Sequence, residues 1–227
     1  MAKYRAQITK GREIRYVSHL DYVAIFERAL RRAHLPVAYS EGFHPHMKLA
    51  FTPALPVGVT SEAECMDFEL TADLPPVEVL KRLTRELPAG AQVIKLRVLQ
   101  HKVASLSAAA TSACYVITFP HTSIPEAEKI RVLHAYKEAK TIPFVRVRPK
   151  YRKEFDAKMY WQDFNMQTQG DALSLLLHIN ITPEGSMKPN EVLTILKERF
   201  AMPLPLEEAR IHRQALSGDG RELIDFV

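Results

Sequence analysis

His19, His44 and His46 are the residues of the N-terminal part best suited to proton chemistry. The last two flank Pro45 in the run Tyr39-Ser40-Glu41-Gly42-Phe43-His44-Pro45-His46. A loop histidine titrating near neutrality can move a proton at a ribose 2′-OH or a phosphate. Metal binding is not expected: Pro45 stiffens the link between the two imidazoles, and no cysteine, aspartate or third histidine lies at ligand spacing. His19 follows Ser18 at the start of a predicted helix, where free backbone N–H groups attract anions. The competing reading for all three is a hydrogen-bonded structural histidine in a tight turn.

Cations form the second group. Arg146, Arg148, Lys150 and Arg152 alternate with other residues across one predicted strand, 144–152. A period of two puts all four on one face, roughly 6.5–7 Å apart. That row suits a phosphodiester backbone, each neutralised phosphate adding affinity through counterion release. It equally suits an edge strand that uses charge against aggregation. Arg28, Arg31 and Arg32 close the first helix, where the dipole favours cations whatever the ligand. Gly42 and Gly58 are expected in conformations that a side chain would forbid. Phe43 and Phe51 belong either to the core or to a stacking face for a base.

These residues must be held by a framework that the pattern outlines. Ser18 caps a helix running to about Ala33, with Asp21 positioned to cap back and Pro36 ending it. Strands are expected at 3–9, 14–17, 37–39, 48–51, 64–70 and 93–99, and a second helix at 75–87. After a small-residue linker at 104–112 the order repeats, with strands at 114–119, 144–152, 159–167, 173–181 and 209–215, and helices at 125–140 and 188–200. The expected fold class is α+β: tandem ferredoxin-like (split βαβ) units, each an antiparallel sheet with helices on one face. Their expected extents are 1–103, carrying the histidine motifs, and 113–227, carrying the basic strand.

Composition sets outer limits. The chain has 227 residues and a net charge of +5, and 47% of its residues are hydrophobic, values typical of a globular protein with a mild leaning toward polyanions. The pattern predicts no membrane span and no secretion signal, hence a cytoplasmic protein. Its 2 cysteines, Cys65 and Cys114, cannot supply an iron–sulfur cluster or a structural zinc. No cofactor and no metal are expected.

Four segments together resemble a known family: Arg15-Tyr16-Val17-Ser18-His19-Leu20-Asp21, Glu27-Arg28-Ala29-Leu30-Arg31-Arg32-Ala33, the run Tyr39–His46, and Leu55-Pro56-Val57-Gly58. The family is that of the bacterial radical-SAM-associated proteins of domain of unknown function 2344. The resemblance implies a role connected with RNA or the translation machinery beside a radical SAM partner, and it carries no catalytic residues over. The family pattern reads Gly-Phe-Asn-Pro-His-Pro, whereas this chain has His44 for the asparagine and Met47 for the last proline. His19 and His46, which match, are therefore the catalytic candidates.

The leading expectation is an accessory protein without catalysis of its own, which binds RNA (tRNA or rRNA) or presents substrate to the radical SAM protein. Gly42, Phe43, Arg28, Arg31, Arg32 and the basic row would form its nucleic-acid surface. The alternatives are a metal-independent RNA-processing or RNA-modifying enzyme using His19 or His46, and a protein–protein adaptor.

Overall fold

The computed structural model describes residues 2–101, 103–149 and 151–226. In chain order its elements are β1 (Ala2–Lys10), α1 (His19–Arg32), β2 (Leu49–Phe51), β3 (Thr60–Leu70), α2 (Pro76–Glu86), β4 (Val93–Val98), α3 (Leu106–Ala109), β5 (Ser112–Phe119), α4 (Glu126–Glu138), β6 (Pro143–Arg148), β7 (Tyr151–Asp156), β8 (Trp161–Gln169), β9 (Ala172–Thr182), β10 (Gly185–Ser186), α5 (Pro189–Glu198), β11 (Arg210–Gly218) and β12 (Arg221–Glu222). Two units emerge, Met1–Thr111 with Arg213–Val227, and Ser112–His212. Antiparallel pairing together with helices makes the chain an α+β protein.

In the first unit β1 pairs antiparallel with β3 and β4, and β2 adds to β3, giving the order β4-β1-β3-β2. Alternation in β1 and β3 sends Tyr4, Ala6 and Ile8, and Met66, Phe68 and Leu70, into one core. Phe26 and Leu30 of α1 and Val79 and Leu83 of α2 fill that core. The cap on α1 forms as the sequence predicts: Ser18 Oγ accepts from the Asp21 N–H at 3.2 Å and donates to its carboxylate at 2.7 Å. The strand expected at 14–17 is instead a turn. Residues 12–14 form a 3-10 turn, Val17 N–H donates to the Ile14 carbonyl, and the Lys10 ammonium holds the Val17 carbonyl at 2.8 Å.

The other face of this sheet is covered by segments far away in sequence. Arg5 is fully buried, and its guanidinium donates to both Asp67 oxygens (2.7 and 2.9 Å), to the carbonyls of Leu223 (3.0 Å) and Phe226 (2.9 Å), and to Ala104 (3.4 Å). Five bonds match the five N–H donors of the group. The expected linker at 104–112 contains α3, capped by Ser105, with Leu106 buried. Gly218 passes so close that a Cβ there would lie 1.9 Å from the Ala109 carbonyl.

In the second unit β5 and β8 both pair antiparallel with β9, and β10 adds to its end. Tyr136 of α4 packs against Trp161 and Phe164 of β8, and Phe200 closes on Trp161 after α5. The strand expected at 144–152 is instead two strands, β6 and β7, paired as a two-stranded sheet of their own.

Candidate functional site

The histidine run folds as a narrow loop with a zipped neck. Tyr39 and Met47 form an isolated β-bridge, Lys48 N–H donates to Ala38, and Ser40 N–H donates to the His46 carbonyl at 2.8 Å. The Ser40 hydroxyl accepts from the His46 N–H at 3.1 Å and also meets His46 Nδ1 at 2.9 Å. Gly42 has φ +116°, a region L side chains rarely adopt, and open space around it, so it is the backbone and not crowding that demands glycine. This geometry turns Phe43 outward until its side chain is wholly exposed (102%). Of the two readings for Phe43, core is thus excluded. Phe51, by contrast, is half-buried, edge-on to Tyr22 and His19 and beside Phe26.

His19 is the first residue of α1, and its ring meets Phe51 at 6.3 Å. It lines a cavity of about 10 Å³ with Lys10, Tyr22, Thr52 and Glu64. That volume is about the size of one water molecule, which excludes a substrate. The floor is a buried charge network. Lys10 (1% exposed) and Glu64 (3%) lie on the inward faces of β1 and β3. Glu64 accepts from Thr52 and Ser61 hydroxyls, each at 2.7 Å, and from Arg213 at 2.9 and 3.1 Å. Burial pulls the Lys10 ammonium below its ordinary value, with the Glu64 carboxylate partly opposing this. The same burial, with Glu64 adding to it, pushes the Tyr22 phenol well up. His19 and His46 share no contact among the described residues: one packs on Phe51, the other on Ser40.

The cations are redistributed. Arg28 and Arg31 are exposed, while Arg32 is tied to the Glu86 carboxylate at 3.2 Å and to its carbonyl. The expectation of four cations on one face fails. Arg146 stands opposite Lys153, and Arg152 stands opposite Val147, so Arg146 and Arg152 are on opposite faces of the hairpin. Arg148 is paired in register with Tyr151, and Lys150 lies outside the described residues. Arg146 is also committed: its guanidinium forks onto Glu191 at 2.6 and 2.7 Å, donates to the Ser186 carbonyl, and covers the Phe155 ring. Arg152 remains exposed.

Lys10, Glu64 and Arg213 are absent from the sequence-level site. Period two in β1 and β3 puts Lys10 in line with Ala6 and Ile8, and Glu64 in line with Met66 and Phe68. A charge on an apolar face is the signal that finds them. Arg213, 149 positions from Glu64, leaves no such local trace.

Among solved structures the chain is similar to one in a Cbf5-Nop10-Gar1 complex, at 9% identity over 94% of this chain and 48% of that one, with a TM-score of 0.49. It is similar also to one in an archaeal box H/ACA sRNP Nop10-Cbf5 complex, at 11% identity over 95% and 48%, with a TM-score of 0.44. An unknown protein from Galdieria sulphuraria matches at 12% identity over 96% and 98%, with a TM-score of 0.27. The chain spans about half the length of the first two. No curated protein matches it. A family model does, over residues 3–189, which include the Ser18–Asp21 cap, the zipped loop and both strands of the hairpin. The chain belongs to the family described as uncharacterized proteins conserved in bacteria, DUF2344.

Proposed function

We propose that the chain is a cytoplasmic accessory protein that binds RNA, tRNA or rRNA, and presents it or a bound substrate to a radical SAM enzyme. The observation that carries this reading is Phe43, a wholly exposed ring held at the tip of a hydrogen-bonded neck. A base stacking on such a ring removes apolar surface from water, and stacking is the usual way proteins hold single-stranded RNA. Arg28, Arg31 and Arg152 are exposed cations available for phosphates, whereas Arg146 is occupied. The strand order β4-β1-β3-β2 supports a ferredoxin-like reading of the first unit, and the shared pairing of β5 and β8 with β9 supports the same reading of the second. Radical chemistry would come from the partner, because two cysteines are fewer than a cluster needs.

Filter binding with total tRNA and rRNA at two salt concentrations tests the proposal. Affinity should fall steeply with salt as phosphate contacts exchange for counterions. Absent binding, or binding indifferent to salt, sinks it. A catalytic reading rests on His46, whose Nδ1 is engaged by Ser40, leaving Nε2 for a substrate. His46→Ala should then abolish RNA turnover and spare binding. An adaptor that merely docks on the enzyme would co-purify with it after RNase treatment.

A further inference from the structure

A separate feature lies in the second unit. The β5–α4 connection, the last turn of α5 and the segment after it enclose an open cleft of about 590 Å³, lined by His121, Ser123, Lys197, Pro203, Pro205 and Glu208 among others. The cleft is shallow and open to solvent, with His121, Ser123, Lys197, Pro203 and Glu208 exposed along it, so a small ligand would rest against it and not be engulfed. It is far larger than the cavity beneath His19.

The lining is chemically specific. His121 has φ +55°, a conformation uncommon for a residue with a side chain, and its Nδ1 meets an Asp171 carboxylate oxygen at 2.6 Å. A carboxylate only accepts, so Nδ1–H donates to Asp171, and in the imidazolium form Nε2–H is a second donor that can meet a ligand oxygen. Lys197 is exposed and has no hydrogen bond or ion pair among the described residues, so its three N–H donors are available. Ser123 adds a hydroxyl. Glu208 is an acceptor-only group in the same cleft, and Pro203 and Pro205 supply an apolar wall.

We propose that this cleft binds a phosphomonoester that also carries hydroxyl groups, the chemistry shared by a sugar phosphate and a nucleoside monophosphate. The phosphate would be held by the Lys197 ammonium, the Nε2–H of a His121 imidazolium and the Ser123 hydroxyl. The ligand hydroxyls would donate to Glu208, and its carbon skeleton or base would lie against the prolines. The site uses none of the residues assigned to RNA, so it stands or falls independently of that reading.

The test is a titration of the full chain followed by ¹H–¹⁵N chemical shifts, with ribose 5-phosphate, uridine 5′-monophosphate, ribose and inorganic phosphate as probes. Shifts at 121–123 and 197–208 are expected with at least one of the two phosphomonoesters. A response to both marks the sugar phosphate as sufficient, and a response to the nucleotide alone marks the base as required. Lys197→Ala, an exposed position that leaves the fold intact, should weaken that binding about tenfold. Glu208→Ala, which removes the acceptor, should narrow the difference in affinity between the phosphomonoester and inorganic phosphate. The proposal is overturned if neither phosphomonoester shifts these residues, if inorganic phosphate binds as tightly as they do, or if Lys197→Ala has no effect.

Discussion

Phe43 faces solvent because the bonds beneath it fix the loop in a shape with no apolar neighbour to turn toward. Ser40 and His46 zip the neck, and Gly42 turns the backbone at the tip. Removing the ring therefore costs the fold little and the surface its only large apolar group at that tip. Phe43→Ala should leave the melting temperature unchanged and lower RNA affinity by about 1–3 kcal/mol, the range measured for base–aromatic stacking. Equal affinity of variant and parent in the filter assay would remove the ring from the interface. Glu64 behaves in the opposite way. Glu64→Ala would take the carboxylate from Arg213 and the acceptor from two hydroxyls in a dry interior, and breaking such a buried pair typically costs about 3–5 kcal/mol. Urea denaturation of the two proteins measures that difference. The special character of the loop is visible in its glycine and proline alone. The charge network is half visible: Lys10 and Glu64 violate the alternation of their strands, while Arg213 is joined to them only by the folded chain.

Among the elements, the helices were the most legible, because caps and stops are local chemistry. Ser18, Asp21 and Pro36 announce α1, and Pro76 opens α2 with the ring at a position whose N–H has no intrahelical partner. The basic strand departs from its predicted form for an equally local reason. Pro149 has no N–H to give to a ladder, so it belongs at a turn and not in the middle of a strand. Alternation counted across that turn places Arg152 with Arg146, whereas the hairpin separates them by face. Their substitutions should accordingly part company. Arg146→Ala removes a bidentate contact to Glu191 and should destabilise the second unit, seen as a lower melting temperature. Arg152→Ala should leave stability alone and reduce the salt dependence of RNA binding by about one unit of slope. If Arg152→Ala changes neither affinity nor slope, the hairpin takes no part in binding.

Across the whole molecule, several acidic protons are held inside. Burial pushes the Cys65 thiol up to about 12, with the Arg5 guanidinium opposing, and burial pushes the Tyr136 phenol to about 12, with Asp163 and Asp156 adding. In the unfolded chain these groups release protons near their ordinary values of 9.0 and 10.0. The unfolded state is thus favoured as pH rises, so the stability they contribute is intact below about pH 9 and is lost progressively toward pH 12. Denaturation midpoints measured across that window should fall steadily, and a Cys65→Ala variant should show a shallower decline. A flat profile would mean that these protons are not buried. The general class, antiparallel sheet with helices, follows from hydrophobic period, but the closure of the first unit does not. It depends on Arg5 gathering Asp67, Ala104, Leu223 and Phe226, four partners that no local pattern ties together.

That gathering has a consequence for how the chain is made. Arg5 is synthesised 221 residues before Phe226, whose carbonyl completes its set of acceptors. During translation the first unit can gather its helical face early, apart from the Arg213 partner of Glu64, but the face bearing Arg5, Cys65 and Asp67 stays uncovered while all of 112–212 is produced. The later unit is therefore complete in sequence before the earlier one can close. A chain that ends at residue 212 should leave that face open, with Arg5 lacking the carbonyls of Leu223 and Phe226, and should be attractive to chaperones.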